Sequence, residues 1–133
     1  MSESELIIEL KKRGCDKIID WRDRSRFPLQ DIECGIVFVI ACWSGQAKVG
    51  LYALANVIGK CQSKPTLFLV DNDQIDEPWM SSFFHHDKRT SALHGFGECL
   101  FIKGGTVQRS MTRLYDVTEE QLIENIKELK DIK

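Results

Sequence analysis

The sequence predicts an α/β fold: a mixed central sheet sandwiched between helices, with an extra helix at the N-terminus, in a single domain spanning residues 1–133. Three observations predict it. The apolar run "GIVFVIACW" is followed by a stretch of helical period and then by a second apolar run, "TLFLVDND", the order of a right-handed parallel crossover. "ECLFIKGGTVQRSM" reads as two strands joined by Gly104 and Gly105, which adds an antiparallel pair. The chain ends in "VTEEQLIENIKELKDIK", its clearest helix, which covers one face of the sheet.

Each element has its own warrant. In "SESELIIELKKRG", Ser2 and Glu5 form a capping box, Leu6, Ile7 and Leu10 share a face, and Gly14 is the stop. "DKIIDW" is a short strand, and "RDRSRFPLQDIE" is a polar connection whose mixed charges read as a solvated face. "GIVFVIACW" is β-branched and apolar at both alternating positions, as a central strand covered above and below requires. From Gly45 to Lys60 the period becomes helical, with Val49, Tyr52, Ala53 and Val57 on one face and Gly59 near the end. "TLFLVDND" leaves the core into acidic residues, and "QIDEPWMSSFFHHDKRTSALHG" is helix and loop. In the last helix Thr118 and Gln121 form a second capping box, Val117 and Leu122 a hydrophobic staple, and Leu122, Ile123, Ile126 and Leu129 the buried face.

Composition excludes several classes of function. A chain of 133 residues, 43% apolar and 29% charged, supports one compact core. Its net charge of −2 offers no basic field for phosphates, so nucleic acid is not an expected partner. The N-terminus lacks the basic start and continuous apolar stretch of a secretion signal, and the run from Ile36 to Trp43 is too short to span a bilayer, so the expected location is cytoplasmic with no membrane contact. Five cysteines, at 15, 34, 42, 61 and 99, are an odd number with no C-x-x-C spacing; free thiols are expected rather than a disulfide framework or a zinc site. Cys42 is the candidate reactive thiol because it adjoins the stretch "WSGQAK".

"VFVIACWSGQAK" resembles the central strand and W-C-G-P-C-K turn of the thioredoxin family, with Trp43, Gly45 and Lys48 retained. "FLVDND" is similar to the family's next strand, and "FGECLFIKGGTV" to its P-T-L-L-L-F-K-N-G-E-V hairpin. The resemblance runs from Gly35 to the C-terminus, while residues 1–33 are divergent. It implies a thioredoxin-like sandwich in which Trp43, Ser44, Gly45, Gln46, Ala47 and Gly97 form a degenerate active-site loop. Ser44 and Ala47 stand for the two thiols, Gln46 for the proline between them, Gly97 for the cis-proline and Phe38 for the buried acid. Pro65 lies too close to Ser44 to be that proline. Disulfide exchange needs a thiolate to attack and a second thiol to resolve, so no catalytic residue is expected here. Ser44 is expected to cap the next helix.

Other constellations point to no ligand. "DNDQID" has Ile75 and Asp76 where a calcium loop needs an oxygen ligand and a glycine. His85, His86 and His94 have no partner at a metal-binding spacing, and Lys103-Gly104-Gly105 is turn chemistry. No cofactor and no metal are expected. The segment from Asp73 to Gly97 is longer than its counterpart in the family and rich in aromatics. Trp43, Trp79, Phe83, Phe84 and Phe96 are therefore the candidate anchors for a protein partner, with packing of Trp79, Phe83 and Phe84 on the sheet as the alternative. Two functions remain: a non-redox binding protein (adaptor, assembly chaperone, or inhibitor such as an immunity protein), or a monothiol or glutathione-linked oxidoreductase acting through Cys42.

Overall fold

The computed structural model describes residues 3–41, 43–83 and 97–131. In chain order the elements are α1 (Glu3–Lys12), β1 (Ile18–Asp20), β2 (Cys34–Ile40), α2 (Gly45–Lys60), β3 (Thr66–Asp71), α3 (Glu77–Ser81), β4 (Glu98–Lys103), β5 (Thr106–Met111) and α4 (Glu119–Asp131). Two 3-10 turns, Leu29–Asp31 and Leu114–Asp116, sit in the connections before β2 and after β5. The strands form one mixed sheet in the order β1-β3-β2-β4-β5. β3 runs parallel to both β1 and β2, whereas β4 is antiparallel to β2 and to β5. The parallel crossover and the hairpin expected from the sequence are both present.

β2 is central because it is apolar on both sides. Ile36, Phe38 and Ile40 face a core shared with α1, α2 and α4, while Val37 and Val39 face a second core containing Met80 of α3 and Phe27, Leu29 and Ile32 of the β1–β2 connection. β3 and β4 alternate in the same way, with Leu67, Leu69, Cys99 and Phe101 on the first side and Phe68, Val70, Leu100 and Ile102 on the second. A polar residue at any of these inward positions would need a buried partner.

Local signals fix the ends. Gly14, at φ +96°, closes α1 in a Schellman turn, its N–H donating to the Lys11 carbonyl at 3.0 Å and that of Cys15 to Leu10 at 3.2 Å. There α1 meets α2 backbone to backbone. A Cβ on Gly14 would lie 2.8 Å from Gly59 Cα, and one on Gly59 would overlap the Arg13 carbonyl oxygen. Gly104 and Gly105 both take positive φ, 59° and 71°, as the two-residue turn between β4 and β5 demands. In α4 the capping box is reciprocal. Thr118 Oγ1 accepts the Gln121 N–H at 3.2 Å, and Gln121 Oε1 accepts the Thr118 N–H at 2.9 Å.

Two expectations are corrected. Val49 is 56% exposed rather than core-facing; the buried side of α2 is Ala47, Gly50, Leu51, Leu54, Ala55, Val57 and Ile58. This helix is apolar almost all round, so its period does not single out one face. The charges of the β1–β2 connection are not all solvated either: Arg22 is 7% exposed and forks onto Asp20, Nε to Oδ1 at 2.9 Å and Nη2 to Oδ2 at 2.8 Å. A bidentate carboxylate two residues away is what lets a guanidinium be buried.

Candidate functional site: the turn between β2 and α2

The turn after β2 is built by a cap. Ser44 has extended backbone (φ −106°, ψ 117°), and its Oγ accepts the Ala47 N–H at 3.2 Å, the N-cap geometry of α2. Ser44 is 8% exposed and Ala47 is fully buried, whereas Gly45 and Gln46 face solvent. The Ser44 hydroxyl is thus engaged with its own helix. Trp43 behaves differently. It is 63% exposed, yet its ring is tethered, Nε1 donating to the Asp73 carboxylate at 3.0 and 3.2 Å. Asp73 is itself held beyond β3, its N–H donating to Asp71 Oδ1 at 2.8 Å. Because β2 and β3 are parallel, both turns emerge at the same end of the sheet.

Gly97 completes this end. It precedes β4 at φ +89°, and a Cβ there would lie 3.6 Å from Ala47 Cα and 3.3 Å from Phe38 Cζ. Residues 47 and 97, fifty positions apart, are therefore neighbours, and Phe38 fills the space beneath them. Pro65, by contrast, stands just before the parallel strand β3. The Gly97 carbonyl accepts the Leu114 N–H at 3.2 Å, which brings in the β5–α4 connection, where Arg113 is left-handed at φ 57°. Gly50 of α2 lets that connection approach: a Cβ there would meet Leu114 Cβ at 2.9 Å. The sequence alone did not identify Asp73 as the anchor of Trp43, nor Arg113 and Leu114 as part of this end. The acidic exit of β3 signalled the first; a lone glycine on the inner face of α2 signalled the second.

The buried thiols are poorly suited to exchange. Burial, reinforced by the charge of Asp16, pushes Cys15 up to about 11. Burial and then the neighbouring Glu98 carboxylate raise Cys99 further. Both stay protonated near neutral pH, and a protonated thiol is not the nucleophile. Cys42 lies outside the described residues. Among the described residues no group of three or more His, Cys, Asp or Glu side chains is arranged to hold a metal ion, and no helix is long and apolar enough to cross a membrane.

The aromatic segment starts at α3, capped by Asp76, whose Oδ1 accepts the Trp79 N–H at 3.2 Å and whose Oδ2 pairs with Arg26 at 2.9 Å. Trp79 lies edge-on to Phe27 at 4.9 Å and to Phe83 at 5.1 Å. Phe27 in turn stacks on Trp21 at 5.6 Å, and Trp21 sits against Phe68 at 4.6 Å. Trp79 and Phe83 are thus half-buried members of an aromatic row on the second face of the sheet, with Arg24 and Arg26 over the Trp21 and Trp79 rings. Phe84, His85, His86, His94 and Phe96 lie outside the described residues.

No protein-family model matches the chain, and no curated protein does. Solved structures do. The chain is similar to a mutant thioredoxin from Halobacterium salinarum, with a TM-score of 0.63 at 13% identity over 90% of this chain and 96% of that one. It is similar to Schistosoma mansoni thioredoxin, at TM-score 0.57 and 18% identity over 87% and 96% of the two chains. Trypanosoma brucei brucei thioredoxin gives TM-score 0.55 and 10% identity over 89% and 95%. Together with the mixed five-stranded sheet and its flanking helices, these likenesses show that the chain has a thioredoxin-like fold.

Proposed function

We propose that this is a divergent thioredoxin-fold protein, without a C-x-x-C pair, that performs no disulfide exchange and uses the β2–α2 end of the sheet to hold a protein partner. The observation that carries the reading is the contrast between two adjacent residues. Ser44 is buried and committed to capping α2, while Trp43 is exposed and hydrogen-bonded to Asp73. A large aromatic ring left in solvent, with its one polar group already partnered, offers apolar area for an interface. Gly45, Gln46 and Val49 extend the exposed surface beside it. Adaptor, assembly chaperone and inhibitor or immunity protein are the roles that such a surface serves.

Two measurements test this. The purified protein is expected not to accelerate the reduction of insulin by dithiothreitol above the reagent's own rate. Reduction that disappears in Cys42→Ser would replace the binding reading with the thiol one. Capture from the native host is expected to yield a partner whose affinity for folded Trp43→Ala is weaker by about thirtyfold, the equivalent of about 2 kcal/mol for a central tryptophan. Equal binding by the two proteins would remove Trp43 from the interface.

A further inference from the structure

Two of the three tryptophans in this chain carry a guanidinium on the ring, and the third does not. Arg24 lies 5.5 Å from the centre of the Trp21 ring, and Arg26 lies 5.7 Å from that of Trp79. Arg26 also pairs with Asp76, Nη2 to Oδ2 at 2.9 Å, so ring, guanidinium and carboxylate form one unit. The negative face of the indole and the carboxylate attract the same cation. Trp43 and Asp73 repeat two parts of that unit at the β2–α2 end. The indole Nε1 donates to the carboxylate at 3.0 Å, and no cation of the described residues lies over the ring or pairs with Asp73. Asp71, whose Oδ1 accepts the Asp73 N–H at 2.8 Å, adds a second carboxylate that no described cation pairs with. Trp43 is also the most exposed of the three rings, the other two being half-buried.

We propose that Trp43 and Asp73 receive an arginine from a basic segment of the protein partner, its guanidinium stacked on the indole and paired with the carboxylate. This rests on the reading of the β2–α2 end as a docking surface and adds the chemistry of what docks there. A carboxylate 3.0 Å from the ring nitrogen is within reach of a cation laid on the ring. The planar guanidinium makes both contacts at once, flat on the indole and forked onto oxygen, whereas a lysine ammonium is a strongly hydrated point charge. An acidic segment would be repelled by Asp71 and Asp73, and a purely apolar one would cover their charges without pairing them.

The test selects dodecapeptides from a random display library on the full chain and counter-selects them on Trp43→Ala, after circular dichroism shows that this variant is folded. Peptides that need Trp43 are expected to share an arginine. Replacing it with citrulline, which keeps the shape and loses the charge, is expected to weaken binding about tenfold, the combined size of an exposed cation–π contact and an exposed ion pair. Asp73→Asn keeps an oxygen to accept the Trp43 Nε1–H and removes only the charge. It is expected to weaken the arginine peptide about threefold and to leave the citrulline peptide unchanged, with the Trp43 indole N–H resonance showing that the ring has stayed in place. Trp43-dependent peptides that share no arginine overturn this inference and leave the docking surface standing. Equal losses of the two peptides in Asp73→Asn overturn it in the same way. The absence of any Trp43-dependent peptide overturns it as well, while the docking reading itself stands or falls on the affinity of the captured partner for Trp43→Ala.

Discussion

Replacing Ser44 with alanine removes one hydrogen bond from the N-terminus of the central helix, and the structure sets the size of the loss. N-cap substitutions of this kind cost about 0.5–2 kcal/mol. The upper part of that range, about 1–2 kcal/mol, applies here, because Ser44 is 8% exposed and Ala47 is fully buried, so water has little access to the freed N–H. At an unfolding entropy of about 2.1 cal/mol/K per residue, 133 residues give about 280 cal/mol/K. A loss of about 1–2 kcal/mol then lowers Tm by about 4–7 °C. Thermal melts followed by circular dichroism at 222 nm, checked by calorimetry for two-state behaviour, measure it. Ser44→Thr, which keeps a hydroxyl acceptor, is expected to lose less than Ser44→Ala. A Tm for Ser44→Ala within about 1 °C of wild type, or equal losses in the two variants, refutes the assignment of Ser44 to the cap and leaves its hydroxyl available for chemistry.

Gly59→Ala is expected to lower stability by about 1–3 kcal/mol through overpacking, although alanine is the better helix former, because its Cβ would overlap the Arg13 carbonyl; a raised urea midpoint would mean that α1 does not dock there. The Arg22 hydrogen bonds hold the Asp20 carboxyl below its usual range, so its contribution is complete above the ordinary carboxylate pKa and is lost as pH falls through the lower folded value. Urea midpoints measured from pH 7 down to pH 2.5 are therefore expected to fall less steeply on the acid side in Asp20→Asn than in wild type, and parallel curves would contradict this.

What the sequence could reveal depended on how local the cause was. The α4 capping box, the Gly-Gly turn and the helix start at Ser44 are legible because the donor and acceptor lie within three residues of each other, so a short string contains the whole interaction. β2 and β3 are legible because burial on both faces leaves an unbroken apolar run. The solvent face of α2 was not legible: with Leu51, Leu54, Ala55 and Ile58 buried and Val49 exposed, an apolar count gives no direction, and only the placement of α1 and α4 decides it. Arg22 was misread for a related reason. Charge in a connection usually means solvent, and the fork onto Asp20 exists only because β1 ends there and the chain turns back on itself. At the candidate site the contact between Ala47 and Gly97 was expected from the resemblance, whereas the Trp43–Asp73 bond required coordinates.

The departures from the thioredoxin pattern at this site are not independent of one another. Phe38 stands where the resemblance implies a buried acid, and its ring tip lies 3.3 Å from the position a Cβ would take on Gly97. A side chain at 97 would press on that ring, so a large apolar residue at 38 and no side chain at 97 belong to one packing solution. Backbone geometry points the same way. Gly97 holds φ at +89°, in the region open to glycine, whereas proline is confined near −65°. Proline therefore cannot enter at 97 unless the start of β4 is rebuilt. Ala47, buried against Gly97, fits this arrangement with a methyl group. On the proposed reading, then, two thiols placed at 44 and 47 would restore the nucleophile and its resolving partner but neither the proton-transferring acid nor the clamping proline. The first is missing because Phe38 occupies its place, and the second is excluded by the φ that Gly97 holds.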